Sequence, residues 1–281
     1  MAVRDDGASV LCSWDGGELF RYVHRPDDPV VESPRPYLHP VRTLAGEVVT
    51  GCRPDDHPWH KGISWALPNV GAENFWGGPT YRRGDGYVQL DNNGSMRHDG
   101  FDALQGDRGQ AQLDERLTWV TAAGRALFEE RRRITAAVRA DRSAWSLGFE
   151  LTMRNVSGRS AGIGSPATEG RANAGYGGLF WRGPAAFAGG RVLAPDGDGG
   201  DEVMGRRGPW LGFSTPAATL VFRDSPGNPG FPCRWFVRST PYACAGPAPF
   251  FDVVVAVAAG AGLTFGYKVI VGCDTEGAFG D

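Results

Sequence analysis

Apolar positions in this chain recur in short alternating runs, broken by Gly, Pro, Asp and Asn. In Ala144–Asn155, the set Trp145, Leu147, Phe149, Leu151 and Met153 alternates with Ser146, Gly148, Glu150, Thr152 and Arg154. A period of two is the pattern of a strand with one face in a core and the other in water. The same pattern predicts strands at Ser9–Trp14 and at residues 18–24, 46–51, 87–91, 110–121, 126–138, 218–223 and 235–238. Residues 139–143 are a polar link suited to joining two long antiparallel partners. No ten-residue segment carries a helical period; residues 113–122 come nearest, and Thr118-Trp119-Val120-Thr121 favours strand. The fold class predicted is all-β, a large antiparallel β-sandwich with less than about 15% helix.

Residues 253–271 are nearly apolar over the length of a membrane span, but Gly260-Ala261-Gly262 and Lys268 interrupt them. The run Val253-Val254-Val255 and the alternation of Leu263, Phe265, Tyr267 and Val269 predict instead a hairpin turning at the Gly-Ala-Gly. No linker forces a boundary, so a single domain over residues 1–281 is expected. The Asp- and Gly-rich residues 195–208 read as a mobile surface loop within it. The Pro-rich residues 26–40 read as an extended crossing loop, because each X-Pro step disfavours the α region.

Composition narrows the partners. There are 42 Gly and 20 Pro, with 41% hydrophobic residues, which describes a turn-rich chain able to bury a core. Lys plus Arg number 29 against 32 Asp plus Glu, without the basic excess that tracking phosphates needs, so no nucleic-acid partner is expected. Asp5 and Asp6 stand where an export signal would place apolar residues, so a soluble, cytoplasmic protein with no membrane partner is expected. Cys12, Cys52, Cys233, Cys244 and Cys273 include no C-x-x-C pair, which predicts reduced, mostly buried thiols.

All five histidines fall within the first 98 residues. The densest chemistry is Asp55-Asp56-His57-Pro58-Trp59-His60-Lys61-Gly62, with His39 upstream and His98 downstream. Two imidazoles three residues apart, beside acids able to orient them, suit proton transfer or metal binding. The alternative is a turn in which His57 caps backbone and His60 packs on Trp59. Neither a His-x-His pair nor an H-E-x-x-H helix is present. Asn74 and Trp76, and later Tyr176, Trp181 and Arg182, put aromatic faces beside hydrogen-bonding groups, as a sugar ring requires; core packing is the competing reading.

Taken together, Arg35-Pro36-Tyr37-Leu38-His39-Pro40, Asp56-His57-Pro58-Trp59-His60-Lys61-Gly62, Asn74-Phe75-Trp76, Gly175-Tyr176-Gly177-Gly178-Leu179 with Trp181-Arg182, and Asp224-Ser225-Pro226-Gly227-Asn228-Pro229 resemble the bacterial PmoA-like family. The resemblance spans most of the chain. That family's central turn usually reads Asp-His-Pro-His-His-Arg-Gly, so Trp59 and Lys61 depart from it. A genuine methane oxygenase subunit of that name crosses the membrane several times, and no such span is predicted here. What the resemblance implies is a large β-sandwich similar to the galactose-mutarotase-like supersandwich, in a family often found among sugar-catabolism proteins.

The expectation is a carbohydrate-active enzyme using histidine acid/base chemistry on a sugar or glycoside, by elimination, epimerisation or hydrolysis. His57 and His60 form the proton-transfer pair, His39 and His98 complete the pocket, and Asp56 orients one imidazole. Trp59, Trp76 and Trp181 stack, while Asn74, Tyr176 and Arg182 hold hydroxyls. A non-catalytic carbohydrate-binding or partner protein, and a metal-dependent enzyme with ligands from His39, His57, His60 or His98, are the alternatives. The residues name no cofactor. His60, in a loop before Lys61-Gly62, is expected to be replaceable without loss of the fold.

Overall fold

Alternation becomes strand wherever it runs longest. A computed structural model describes residues 1–273. In it Gln110–Val120, Ala126–Arg139 and Ala144–Asn155 pair antiparallel in succession, with Arg139 opposite Ala144 and Phe128 opposite Asn155. They belong to a long-stranded sheet of eight, ordered Arg191–Leu193, Trp210–Ser214, Thr219–Asp224, Gly262–Gly272, Ala144–Asn155, Ala126–Arg139, Gln110–Val120, Ser95–Asp107. A second, short-stranded sheet of eight runs Ala2–Asp5, Ser9–Trp14, Gly17–Val23, Tyr37–Val41, Ile63–Ala66, Gly178–Arg182, Cys244–Ala248, Arg234–Arg238. Among the described residues there is no α-helix, only four 3-10 turns of three residues each, and no helix long and apolar enough to cross a membrane.

The two sheets face each other across one apolar layer. Trp145, Leu147, Phe149, Leu151 and Met153 are all buried in it, as the alternation predicts. Phe20 of the short-stranded sheet stacks on Trp145 at 5.8 Å, and Trp65 lies 5.1 Å from Phe265. Each such side chain, taken fully out of water, contributes about 1.5–3 kcal/mol.

Three expectations are corrected. Residues 46–51 form no strand, only a bridge between Arg42 and Val48. The chain does turn at Gly260, but its arms part instead of pairing as a hairpin. Val255–Val257 pairs with Ala161–Gly164, whereas Gly262–Gly272 inserts between Ala144–Asn155 and Thr219–Asp224. Alternation and a turn specify two strands, and the burial of Phe265, Tyr267, Val269 and Val271 decides where the second one goes. Residues 195–208 are not a free loop: Val203 is buried, and the Gly205 amide donates to the Trp235 carbonyl at 2.8 Å.

The pleat of the short-stranded sheet sorts neighbouring residues to opposite faces. Ile63, Trp65, Leu179, Trp181, Trp235 and Val237 join the core between the sheets. Ala66, Phe180, Phe236, Cys244 and Ala248 instead make a separate apolar cluster with Trp76 and Phe251 on the far face. Loops crossing that far face turn it into a cleft.

Candidate functional site

The cleft measures about 470 Å³ and is bordered by Asp56, His57, Trp59, His60, Trp76, Tyr87, Arg171, Tyr176, Phe180, Phe236, Arg238 and Tyr242, among others. Its floor is the outward parity of the short-stranded sheet. Its walls are two loops, built locally from side-chain to backbone hydrogen bonds.

The first loop leaves and rejoins an isolated bridge between Cys52 and Lys61. Inside it two tight turns follow each other, the His57 amide donating to the Pro54 carbonyl at 3.0 Å and the His60 amide to the His57 carbonyl at 2.9 Å. That spacing brings the two rings face to face, centroids 4.6 Å apart and planes 17° apart. Asn74 builds the second loop. Its Oδ1 accepts from the Trp76 and Gly77 amides at 2.8 and 2.9 Å, and its Nδ2 donates to the Gly78 carbonyl and Thr80 Oγ1, both at 3.1 Å. Gly77 and Gly78 have φ of +102° and +66°, and an added Cβ at either would fall 2.6 Å or less from an atom of Trp59. Only glycine lets the two loops lie this close.

Arg35 ties both loops down. Its fully buried guanidinium donates to the carbonyls of Glu32 (3.1 Å), Ser33 (3.2 Å), Trp76 (2.9 Å) and Trp59 (2.7 Å), and to Ser64 Oγ at 3.3 Å. Burial pulls its pKa down to about 10, which still leaves it charged at neutral pH. Lys61 lies beneath the first loop, fully buried and ion-paired with Asp28 and Glu32, and Arg53 pairs with Glu32 at 2.7 Å. Lys61 therefore serves the loop's foundation, while Trp59 faces the cleft.

The two imidazoles carry different protons. Nδ1 of His57 lies 2.7 Å from Asp56 Oδ2. Partial burial pushes the Asp56 carboxyl up, but its bond to His57 and the charge of Arg182, 3.7 Å away, outweigh this and hold it below the usual range. An ionised carboxylate only accepts, so His57 donates from Nδ1, and in the neutral ring Nε2 is then the acceptor nitrogen. His60 is the reverse case. Arg182 Nη1 lies 3.0 Å from its Nδ1, and a guanidinium only donates, so Nδ1 accepts and the proton sits on Nε2. Burial, then the His57 and Arg182 charges, drive the His60 pKa well below the ordinary value, so the ring stays neutral. Arg182 itself is held under the Tyr242 ring, 3.9 Å from its centroid. The site thus sets a carboxylate-backed base beside a neutral N–H donor.

The opposite wall is aromatic and phenolic. Trp76 lies 4.5 Å from Tyr176, and the Tyr176 and Tyr87 hydroxyls are 2.8 Å apart. Arg171 donates to the Tyr87 hydroxyl at 2.6 Å, with its guanidinium 4.7 Å from the Tyr87 ring centroid. Burial raises the pKa of Tyr176 well above a free phenol and that of Tyr242 to about 12, so both remain protonated donors.

Of the residues expected at the site, Asp56, His57, His60, Trp59, Trp76 and Tyr176 border the cleft, and Arg182 backs His60. Four do not serve as expected. Trp181 is fully buried on the inward parity and donates to the Val49 carbonyl at 2.7 Å. The side chain of Asn74 is spent on its own loop. His39 lies against Thr50 Oγ1 at 2.9 Å. His98 belongs to a buried polar layer between the sheets, 2.6 Å from Glu115 and 4.3 Å from the His24 ring. Among the described residues, no group of three His, Cys, Asp or Glu is placed to hold a metal ion. His60 lies in the expected loop but is only 4% exposed. Tyr87, Arg171, Phe236, Arg238 and Tyr242 carry no local motif. Only the outward parity of the strand ending at Arg238 signals part of this set.

An all-β chain with a histidine- and aromatic-lined cleft on the outer face of one sheet is the class so defined. The chain belongs to DUF6807, a family of unknown function, matched over residues 9–276. No curated protein matches it in sequence. The structure is similar to galactose 1-epimerase from Lactobacillus acidophilus NCFM, with TM-score 0.45, 8% identity, and coverage of 96% of this chain and 97% of that one. It is also similar to an α-galactosidase from Lactobacillus brevis, with TM-score 0.45, 9% identity, and coverage of 96% of this chain and 39% of that one. The chain thus spans about two fifths of the α-galactosidase it matches. Likenesses at this level concern the kind of β architecture and not its chemistry.

Proposed function

We propose that the chain is a carbohydrate-active enzyme that moves a proton on a sugar through the Asp56–His57 pair. The observation that carries the reading is a pair of stacked imidazoles on an aromatic floor, one 2.7 Å from the Asp56 carboxylate and the other 3.0 Å from the Arg182 guanidinium. Trp59, Trp76 and Tyr176 offer ring faces to the C–H side of a sugar, and the phenols and His60 Nε2–H offer directional partners to its oxygens.

Proton abstraction next to a carbonyl fits this equipment best. His57 Nε2 takes the proton from the carbon, the bonding pair moves to the carbonyl oxygen, and His60 Nε2–H donates to the oxygen as it gains charge. Delivery of a proton to the other face of the carbon by a phenol of the opposite wall, while His57 gives up its own proton to water, gives epimerisation. Departure of a β-substituent with its electron pair gives elimination. Hydrolysis by paired carboxylates is the poorer fit, because among the described residues Asp56 is the only carboxylate bordering the cleft and it is committed to His57.

The test is turnover against a panel of glycosides and 3-keto-glycosides, using the native chain and His57→Gln. A substrate whose turnover falls about a hundredfold or more in the variant, with binding retained, supports the reading. A sugar bound equally by both proteins and never turned over makes the chain a binding protein instead.

A further inference from the structure

The charge around the cleft does not balance. Arg171 and Arg238 both border it, and among the described residues neither has a carboxylate within 4 Å; the only carboxylate on the lining is Asp56, already engaged by His57 and Arg182. Several arginines bordering other grooves find carboxylates, although among the described residues the Arg207 guanidinium donates only to the Gly230 and Pro232 carbonyls. Arg133 pairs with Asp114 at 2.7 Å and Arg131 with Asp102 at 3.5 Å in one, and Arg234 with Asp252 at 2.9 Å in another.

The two unmatched arginines are held in place. Arg171 is fixed over Tyr87 by its stack and by its bond to the phenol, which uses Nη1 and leaves its remaining N–H groups free. Arg238 sits at the end of Arg234–Arg238 on the outward parity, 5.9 Å from the Phe236 ring centroid, and its guanidinium makes no hydrogen bond to the described residues. A guanidinium placed against an aromatic face, with its fork unspent, is organised in advance for a planar or tetrahedral oxyanion.

We infer that the cleft takes an anionic sugar, its carboxylate or phosphate held by Arg171 and Arg238 while the ring lies against Trp59 and Trp76. This rests on the carbohydrate reading given above and narrows it to acidic sugars. The two oxyanions share the recognition chemistry, and the experiment separates them.

Binding to the purified chain is measured by calorimetry for glucuronate, galacturonate, glucose 6-phosphate, uncharged glucose and galactose, and benzoate as an anion without a sugar. At least one charged sugar should bind about tenfold or more tightly than its uncharged counterpart. Arg238→Gln and Arg171→Gln should each remove most of that preference, and Arg238→Lys, which keeps the charge but not the fork, should keep part of it. The preferred probe, uronate or phosphate, identifies the oxyanion. Equal binding of charged and uncharged sugars, binding by no charged probe, or a preference untouched in both glutamine variants overturns the inference. Uncharged sugars binding alone would do so while leaving the carbohydrate reading intact. Benzoate binding as tightly as the best charged sugar, and losing affinity in Arg238→Gln, would uphold the anion site and overturn the carbohydrate reading.

Discussion

Replacing His60 by Asn removes a buried imidazole from the edge of the cleft and keeps an acceptor near the position of Nδ1, where Arg182 donates. In the folded chain His60 is held neutral, with a pKa well below 6.5, by burial first and then by the neighbouring positive charges. In the unfolded chain it titrates near the ordinary value. The unfolded state therefore binds more protons as pH falls, and the fold loses stability below 6.5, not above it. The loss runs at up to about 1.4 kcal/mol per pH unit below the unfolded value and levels off once the folded-state pKa is passed. His24 and His39 are shifted the same way by burial and contribute equally in the native chain and in the variant, so the difference between the two proteins isolates His60. At neutral pH the variant should be less stable by about 1–3 kcal/mol, because the ring packs 4.9 Å from Phe180 and 5.7 Å from Trp76. Between about pH 7.5 and pH 5 its urea midpoint should then fall by less than that of the native chain, narrowing the gap between the two. Parallel pH profiles for the two proteins would refute the neutral-imidazole assignment.

Asp56→Asn should lower turnover by about a hundredfold or more while moving the thermal midpoint little, since Asp56 is half exposed; an unchanged rate would remove it from the mechanism. Arg35→Met should cost about 3–5 kcal/mol in urea unfolding and weaken sugar binding, because the carbonyls of Trp59 and Trp76 lose their common donor. Trp181→Phe should cost about 1–3 kcal/mol and leave ligand preference unchanged, as measured by the same titrations, because the ring faces the core. Gly62→Ala should express as unfolded or aggregated protein: its Cβ would lie 2.0 Å from the Leu38 carbonyl oxygen, at a φ of +44°.

The long strands were legible in the sequence because their alternation is strong: Ser9–Trp14 and Ala144–Asn155 begin and end where the pattern does. The strand Gly178–Arg182 was not. All five of its residues are buried, since its outer face is roofed by loops, so it shows no polar alternation to read. Without that strand, adjacency alone groups Trp181 with Arg182, although neighbours in a strand point apart. His57 and His60 were legible as a pair because their spacing is local. His98 was not separable from them, since its companion Glu115 lies on the neighbouring strand, and only strand pairing reveals that partnership.

The shared strands of core and cleft bear on how such a protein diversifies. Along Gly178–Arg182 and Arg234–Arg238, every second residue faces outward, Phe180, Phe236 and Arg238 among them bordering the cleft, and the ones between belong to the interior. Point substitutions at the outward positions can retune what is bound without touching the interior. An insertion or deletion of one residue in the same strands would exchange the two sets at once, so ligand range in this architecture is open to drift by replacement and closed to drift by change of length.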